Sequence, residues 1–120
     1  MIQYKNPYDK EHWSKVHPNL ITLRDYFEAY CDKWKFTFVV TSIIRPKIDG
    51  ISTSTTHEEG RAYDASVFGW DIDSINDLVI DCNKQFAKSI GAISAKDGIA
   101  RAVIYHFGTG PHFHFQVRKV

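Results

Sequence analysis

The stretch Pro111-His112-Phe113-His114-Phe115-Gln116-Val117, close to the end of the chain, alternates between two kinds of side chain. Because successive side chains of a β-strand point to opposite faces of a sheet, Phe113, Phe115 and Val117 share one face and the two histidines share the other. We expect the apolar face to pack on the core and the histidine face to line a cleft. One stretch therefore predicts both a half-buried strand and a functional site.

A second stretch, His57-Glu58-Glu59-Gly60-Arg61-Ala62-Tyr63-Asp64, carries two more side chains of the metal-ligand type. Residues 62–67 favour a short strand on which Asp64 has small neighbours, and this leaves room for a ligand above the carboxylate. Gly60 can supply the positive-φ turn that folds the loop carrying His57 back toward Asp64. Either pair alone is equally typical of ordinary surface or core residues. Together they form a donor set that suits Zn²⁺ with one position open to water, which favours a hydrolase.

The remaining sequence predicts a few further elements. An amphipathic helix is expected over Leu20–Trp34 and a second one from a cap at Asp73-Ser74 to Gly91. The predicted strands and connections are a strand over residues 36–44, a loop over 46–56 that borders the cleft, a turn at 97–98, a strand over 99–107 and a tight connection at 108–110 that makes the last two strands an antiparallel hairpin. This order favours an α+β fold with a mostly antiparallel sheet and flanking helices.

The length of 120 residues is enough for one domain, and we divide it into an N-terminal extension over residues 1–18 and a body whose motifs fall within 42–114. The formal charge of +1, without a basic run among aromatic residues, argues against a nucleic-acid partner. Cys31 and Cys82 fall at core positions of the two helices and are expected to be free, buried thiols. We expect neither a signal peptide nor a transmembrane segment.

At this point the chain resembles a known family. Ser42-Ile43-Ile44-Arg45, then Thr55-Thr56-His57-Glu58-Glu59-Gly60-Arg61-Ala62-Tyr63-Asp64, then His112-Phe113-His114 are similar to the zinc peptidases of the D-Ala-D-Ala carboxypeptidase and L-alanyl-D-glutamate endopeptidase group. The wider superfamily includes the penicillin-insensitive murein endopeptidases and the N-terminal signalling domain of hedgehog proteins. The resemblance covers roughly residues 37–118 and implies a hedgehog/DD-peptidase-like fold.

The resemblance implies a role for each motif residue. His57, Asp64 and His114 would bind one Zn²⁺, His112 would act beside the metal, and Arg45, with Ser42 of the same motif, would bind the substrate. Many members place an acidic general base shortly before the last ligand. Residues 107–111 contain no carboxylate here, so the base would be His112 or a carboxylate from elsewhere.

The implied function is hydrolysis of a peptide bond in peptidoglycan stem peptides, with an endopeptidase favoured over a D-Ala-D-Ala carboxypeptidase. The alternative is a zinc-stabilised module that binds peptidoglycan or a protein without hydrolysing it, and a purely structural zinc site ranks last. For an enzyme made in the cytoplasm without a signal peptide, action at the cell wall would need another exit route, such as phage lysis or a phage particle.

Overall fold

The computed structural model describes residues 1–45, 55–107 and 110–119. Its elements, in chain order, are β1 (Ile2–Tyr4), a 3₁₀ helix (Pro7–Lys15), α1 (Pro18–Trp34), β2 (Phe38–Ser42), α2 (Thr55–Glu58), β3 (Ala62–Ser66), α3 (Ile72–Ile90), β4 (Ala92–Ile93), β5 (Ala100–Arg101), β6 (Val103–His106) and β7 (His112–Gln116). Within these ranges, no helix is both long and apolar enough to cross a bilayer.

A five-stranded sheet in the order β1-β2-β3-β7-β6 organises the domain. The β2–β3, β3–β7 and β7–β6 pairs are antiparallel, whereas β1 pairs with β2 in parallel. Strands β4 and β5 form a separate two-stranded sheet. The predicted α+β class, with a mostly antiparallel sheet and flanking helices, is therefore confirmed.

The core lies on one face of the sheet. Phe113, Phe115 and Val117 are fully buried there, as the alternation in β7 predicts. The ring of Phe27 from α1 lies 5.5 Å from that of Phe113 and 4.8 Å from that of Phe115, and Tyr63 stacks on Phe115 at 4.7 Å. Helix packing on this face leaves the histidine face of β7 on the other side of the sheet.

Both predicted long helices are present, but the start of the second one was placed wrongly. Asp71, not Asp73, is the N-cap of α3, and its carboxylate accepts a hydrogen bond from the backbone N–H of Ser74. Asp71 and Asp73 both offer a carboxylate that can cap a helix, and the local sequence pattern does not distinguish between them. Helix α3 does end before Gly91, as predicted.

The strand predicted over residues 99–107 is divided into β5 and β6 at Ala102. The side-chain oxygen of Asn83 accepts hydrogen bonds from the backbone N–H groups of Ala102 and Val103, at 2.7 and 3.1 Å, and its amide nitrogen donates to the Val103 carbonyl. A side chain of α3 thus takes the place of a strand partner at this point.

Two predicted connections lie largely outside the described residues. Of the loop over 46–56, residues 46–54 are outside, while Thr55 and Thr56 begin α2, so His57 lies in a short helix. Of the connection over 108–110, residues 108 and 109 are outside. The turn at 97–98 is confirmed, with Gly98 at a φ of 71° between β4 and β5.

Gly91 joins α3 to the sheets by close approach rather than by an unusual backbone angle. A Cβ atom at this position would lie 2.7 Å from the Ala87 carbonyl oxygen, 2.7 Å from the Arg101 carbonyl carbon and 2.8 Å from the Ala102 nitrogen. These are backbone atoms, which cannot move aside as the end of a flexible side chain can.

We predict that Gly91→Ala lowers the free energy of unfolding by about 2–3 kcal/mol, because the added methyl group overpacks this contact. Gly98→Ala is the control: its φ is +71° but a Cβ would meet nothing within 4 Å, so only the backbone cost of about 1–2 kcal/mol applies. Urea denaturation of the two variants measures the difference. A Gly91→Ala protein as stable as the wild type would contradict the close approach.

Candidate metal centre

His57 reaches the site from the end of a sharply turned segment. Its side chain, in α2, is fully buried, and two residues after α2 Gly60 has a φ of 69°. The Gly60 carbonyl accepts a hydrogen bond from His17 N at 2.9 Å, and a Cβ on Gly60 would lie 3.1 Å from the Lys15 carbonyl oxygen. The predicted role of Gly60, to return the chain toward Asp64, is confirmed.

Strand pairing brings Asp64 and His114 together. They are direct partners in the antiparallel register of β3 and β7, which sets their Cβ atoms roughly 5 Å apart. Asp64 Oδ1 lies 2.9 Å from His114 Nδ1 and 3.2 Å from His57 Nε2. Ligand atoms of His57, Asp64 and His114 all lie within 4.8 Å of one another, so the three residues sequence analysis assigned to the metal form one buried group that could hold a metal ion.

The proton on His57 has a defined position. Its Nδ1 lies 2.6 Å from the carbonyl oxygen of Ile43. Because a carbonyl oxygen only accepts hydrogen bonds, Nδ1 must carry a proton and donate it. In the neutral ring, Nε2 then presents its lone pair to Asp64.

His114 has the opposite arrangement. Gln116 Nε2 donates a hydrogen bond to the Arg101 carbonyl at 3.2 Å, which turns Gln116 Oε1 toward His114 Nε2 at 3.1 Å. An amide oxygen only accepts, so His114 carries its proton on Nε2. Its Nδ1 is left with a lone pair that faces Asp64.

Two nitrogen lone pairs and a carboxylate therefore converge at one point. Three acceptors at hydrogen-bond distance repel one another unless a cation lies between them, either protons on the rings or a metal ion. Buried second partners that orient each imidazole are also the usual surroundings of metal-binding histidines. The residues thus fit a divalent metal, and two imidazoles with one carboxylate suit zinc in a site that has an open position.

The electrostatics of Asp64 are consistent with this role. Burial raises the pKa of its carboxyl group, but the His114 and His57 rings outweigh burial when a proton lies between each ring and the carboxylate, and the net effect holds the pKa well below its usual range. The ligand group is therefore anionic at neutral pH. By contrast, burial raises the pKa of both Cys31 and Cys82 to about 12, and both are free thiols within helices, as predicted. Thiols in that state are poor metal ligands.

The candidate metal centre forms part of the wall of an open cleft of about 860 Å³, called the metal cleft below. Its lining residues are Arg45, Asp64, Lys96, Ile104, His106, His112, His114 and Gln116. The cleft lies on the histidine face of the sheet, as the sequence predicts.

His112 lies beside the metal group without belonging to it. Its Nδ1 is 2.8 Å from the Gly110 carbonyl oxygen, so this nitrogen carries the proton and Nε2 has a lone pair. Nε2 lies 3.8 Å from Asp64 Oδ1, and the side chain is 30% exposed on the cleft. An imidazole fixed in this way can accept a proton at the edge of the site.

Arg45 and Ser42 take different positions. Arg45 NH2 lies 3.8 Å from Asp64 Oδ2, and its side chain is about half exposed in the cleft. Ser42 is paired with Asp64 across β2 and β3, but it lines a neighbouring cavity with Arg45 and His12 rather than the metal cleft. The structure therefore brings Arg45, but not Ser42, to the metal cleft.

Three groups of the site were not among the residues predicted from the sequence. The Ile43 carbonyl carries no sequence signal, since any residue supplies it. Gln116 did have a sequence signal, because the alternation of the strand puts it on the same face as His112 and His114. His106 faces His112 across β6 and β7, with ring centroids 5.1 Å apart. Burial, followed by the neighbouring His114 and His112, lowers the pKa of His106, so this ring is neutral near pH 7.

Comparison of the chain with protein-family models, curated proteins and solved structures gave no match. The resemblance to the zinc peptidases therefore stays a prediction from the motif residues.

We predict that the protein purified without chelator contains about one Zn²⁺ per chain, because the described residues include one group of three ligand atoms that could hold it. His57→Ala and Asp64→Ala should each lose most of it, since two donors hold zinc poorly. His17→Asn is a matched control: His17 Nδ1 caps α1 by accepting from Asn19 N at 3.0 Å, and asparagine caps equally well. Elemental analysis provides the measurement, and full zinc content in both ligand variants would remove this assignment.

Gln116 gives a second prediction. Gln116→Leu removes the acceptor for His114 Nε2–H and should weaken zinc affinity about 10–100-fold. Gln116→Glu keeps an acceptor at the same position and should bind zinc at least as tightly as the wild type. Competition with a chromophoric chelator measures both, with Gln85→Leu on α3 as control. Equal affinities for the Leu and Glu variants would show that Gln116 does not orient the ligand.

Proposed function

We propose that this protein is a zinc-dependent peptidase that hydrolyses a peptide bond in peptidoglycan stem peptides. The observation that carries the proposal is the convergence of three metal-ligand atoms within 4.8 Å on the wall of an open cleft that also holds His112 and Arg45. The choice of peptidoglycan depends on the resemblance of the motif residues to the zinc peptidases, and the reaction type depends on the donor set.

Zinc held by His57, Asp64 and His114 would supply an acidified water and polarise the scissile carbonyl. His112 provides the proton transfer. Its Nε2 lone pair faces the site because Nδ1 donates to the Gly110 carbonyl, so it can accept the proton of the attacking water. The resulting imidazolium can then give that proton to the leaving amine.

Arg45 supports binding and charge stabilisation. Its guanidinium lies at the cleft wall 3.8 Å from Asp64 Oδ2, too far for a tight hydrogen bond, and is about half exposed. It can therefore turn toward a substrate. A planar guanidinium donates charge-assisted hydrogen bonds to a carboxylate or to the developing oxyanion of the reaction.

We favour an internal bond over a terminal D-Ala-D-Ala bond. Among the described residues, Asp64 is the one carboxylate of the cleft lining, and residues 107–111 contain no acidic residue. The acidic base of many carboxypeptidase members therefore has no counterpart at that position, and the H-x-H motif resembles the murein endopeptidases. The cleft also extends past the metal ligands to Ile104 and Gln116, which gives room for residues on both sides of the bond.

Incubation of the zinc-loaded protein with purified peptidoglycan, followed by mass spectrometry of the released products, tests the proposal. We expect new amino and carboxyl termini at one stem-peptide bond. His112→Ala should reduce the rate on the order of 10²–10⁴-fold while zinc content and thermal stability stay unchanged, because it removes proton transfer but no ligand. His114→Ala should lose the metal as well.

His106→Ala serves as a control within the same cleft and should retain far more activity than His112→Ala. The absence of any released product from the fully zinc-loaded wild type would contradict the peptidase and favour the alternative, a module that binds without hydrolysing.

A further inference from the structure

A second cavity, of about 450 Å³, continues the metal cleft along the open face of the sheet. The two cavities share Ile104 and Gln116 in their walls. Gln116 bridges them directly: its Oε1 faces His114 Nε2, and its Nε2 donates to the Arg101 carbonyl. A substrate in the metal cleft therefore lies next to the second cavity, with Ile104 and Gln116 bordering both.

This second cavity is strongly basic. Four of its lining residues are cationic: Arg61, Arg101, Arg118 and Lys119. No acidic side chain lines it among the described residues. Glu59 pairs with Arg61 and Lys119 from outside the lining, and Asp97 pairs with Arg101. The cavity still has two positive charges in excess, although the whole chain has a formal charge of only +1.

Two of the four cations have structural tasks. Arg118 donates to the carbonyls of Ala87, Lys88 and Gly91 at the C-terminal end of α3. Arg61 donates to the Val117 carbonyl and to Glu59, and its side chain is only 13% exposed.

Arg101 and Lys119 are freer. The Arg101 side chain is 34% exposed. Its NH1 and NH2 groups each donate to Asp97, and a guanidinium carries five N–H donors in all, so others stay available. Lys119 is 80% exposed, with Nζ at a distant 3.8 Å from Glu59. These two side chains can turn to an incoming anion.

We infer that this basic cavity, next to the metal cleft and bordered by Arg101 and Lys119, is a carboxylate-binding subsite for an acidic group of the substrate. The inference rests on the proposed function for the position of the scissile bond. Gln116 at the end of β7 and Arg118 two residues beyond it follow His114 at intervals of about 7 Å of extended chain. An extended substrate would thus place its carboxylate about two to four residues from the bond at the metal ligands.

The experiment measures the binding of peptides, so its outcome does not depend on whether the protein hydrolyses them. Two synthetic peptides, N-acetyl-Ala-Ala-Ala-Glu amide and its glutamine counterpart, are titrated into the zinc-loaded protein and followed by ¹H–¹⁵N NMR. The glutamate peptide should bind about tenfold more tightly, as one charge-assisted hydrogen bond provides. It should also shift the resonances of Arg101 and Gln116.

Substituting each partner of the Arg101–Asp97 ion pair in turn distinguishes a binding role of Arg101 from a purely structural one. Arg101→Gln should abolish the preference for glutamate. Asp97→Asn breaks the same Arg101–Asp97 pair, keeps an acceptor for Ile99 N, and removes the competing carboxylate, so it should preserve or increase the preference. Lys84→Gln, an exposed lysine of α3 outside both cavities, should change nothing.

Equal binding of the two peptides by the wild type, including no binding of either, would overturn the subsite. Equal loss of preference in Arg101→Gln and Asp97→Asn would do the same, because the pair would then be only structural. A glutamate preference that behaves as expected in a protein that hydrolyses no peptidoglycan would support the subsite while the proposed peptidase fails. The two claims therefore fail separately.

Discussion

The rest of the structure depends on the convergence of two imidazole lone pairs on one buried carboxylate. The Ile43 carbonyl fixes the proton of His57 on Nδ1, and Gln116 fixes that of His114 on Nε2, so opposite nitrogens of the two rings face Asp64. Such an arrangement is repulsive without a cation between the three groups. The protein has thus fixed the acceptors in place, and a divalent metal is the cation that the donor set fits best.

The fold supplies this geometry from elements far apart in sequence. Antiparallel pairing of β3 and β7 places Asp64 opposite His114, 50 residues later, and Gly60 turns His57 toward them. The apolar face of β7 packs under α1, which holds the strand while its other face stays open to the cleft. One alternating strand therefore contributes both to the core and to the site.

Much of this could be predicted from local patterns. The alternation of β7 placed His112 and His114 on one face, and the ligand types at His57 and Asp64 indicated a metal site. The parts that were missed depend on contacts between distant residues. Asn83 of α3 divides the strand predicted over 99–107, the carbonyl of Ile43 orients His57, and neither contact has a local signature. The prediction of Asp73 rather than Asp71 as the cap of α3 was wrong because two equivalent residues compete at short range.

The most direct test of the account is the protonation state of the two ligand rings, measured by ¹⁵N NMR of histidine side chains during titration of the metal-free protein with zinc. We predict that one equivalent of Zn²⁺ changes His57 and His114 together, with His57 bound through Nε2 and protonated on Nδ1, and His114 bound through Nδ1 and protonated on Nε2. The same tautomer in both rings, or ring nitrogens that do not respond to zinc, would contradict it.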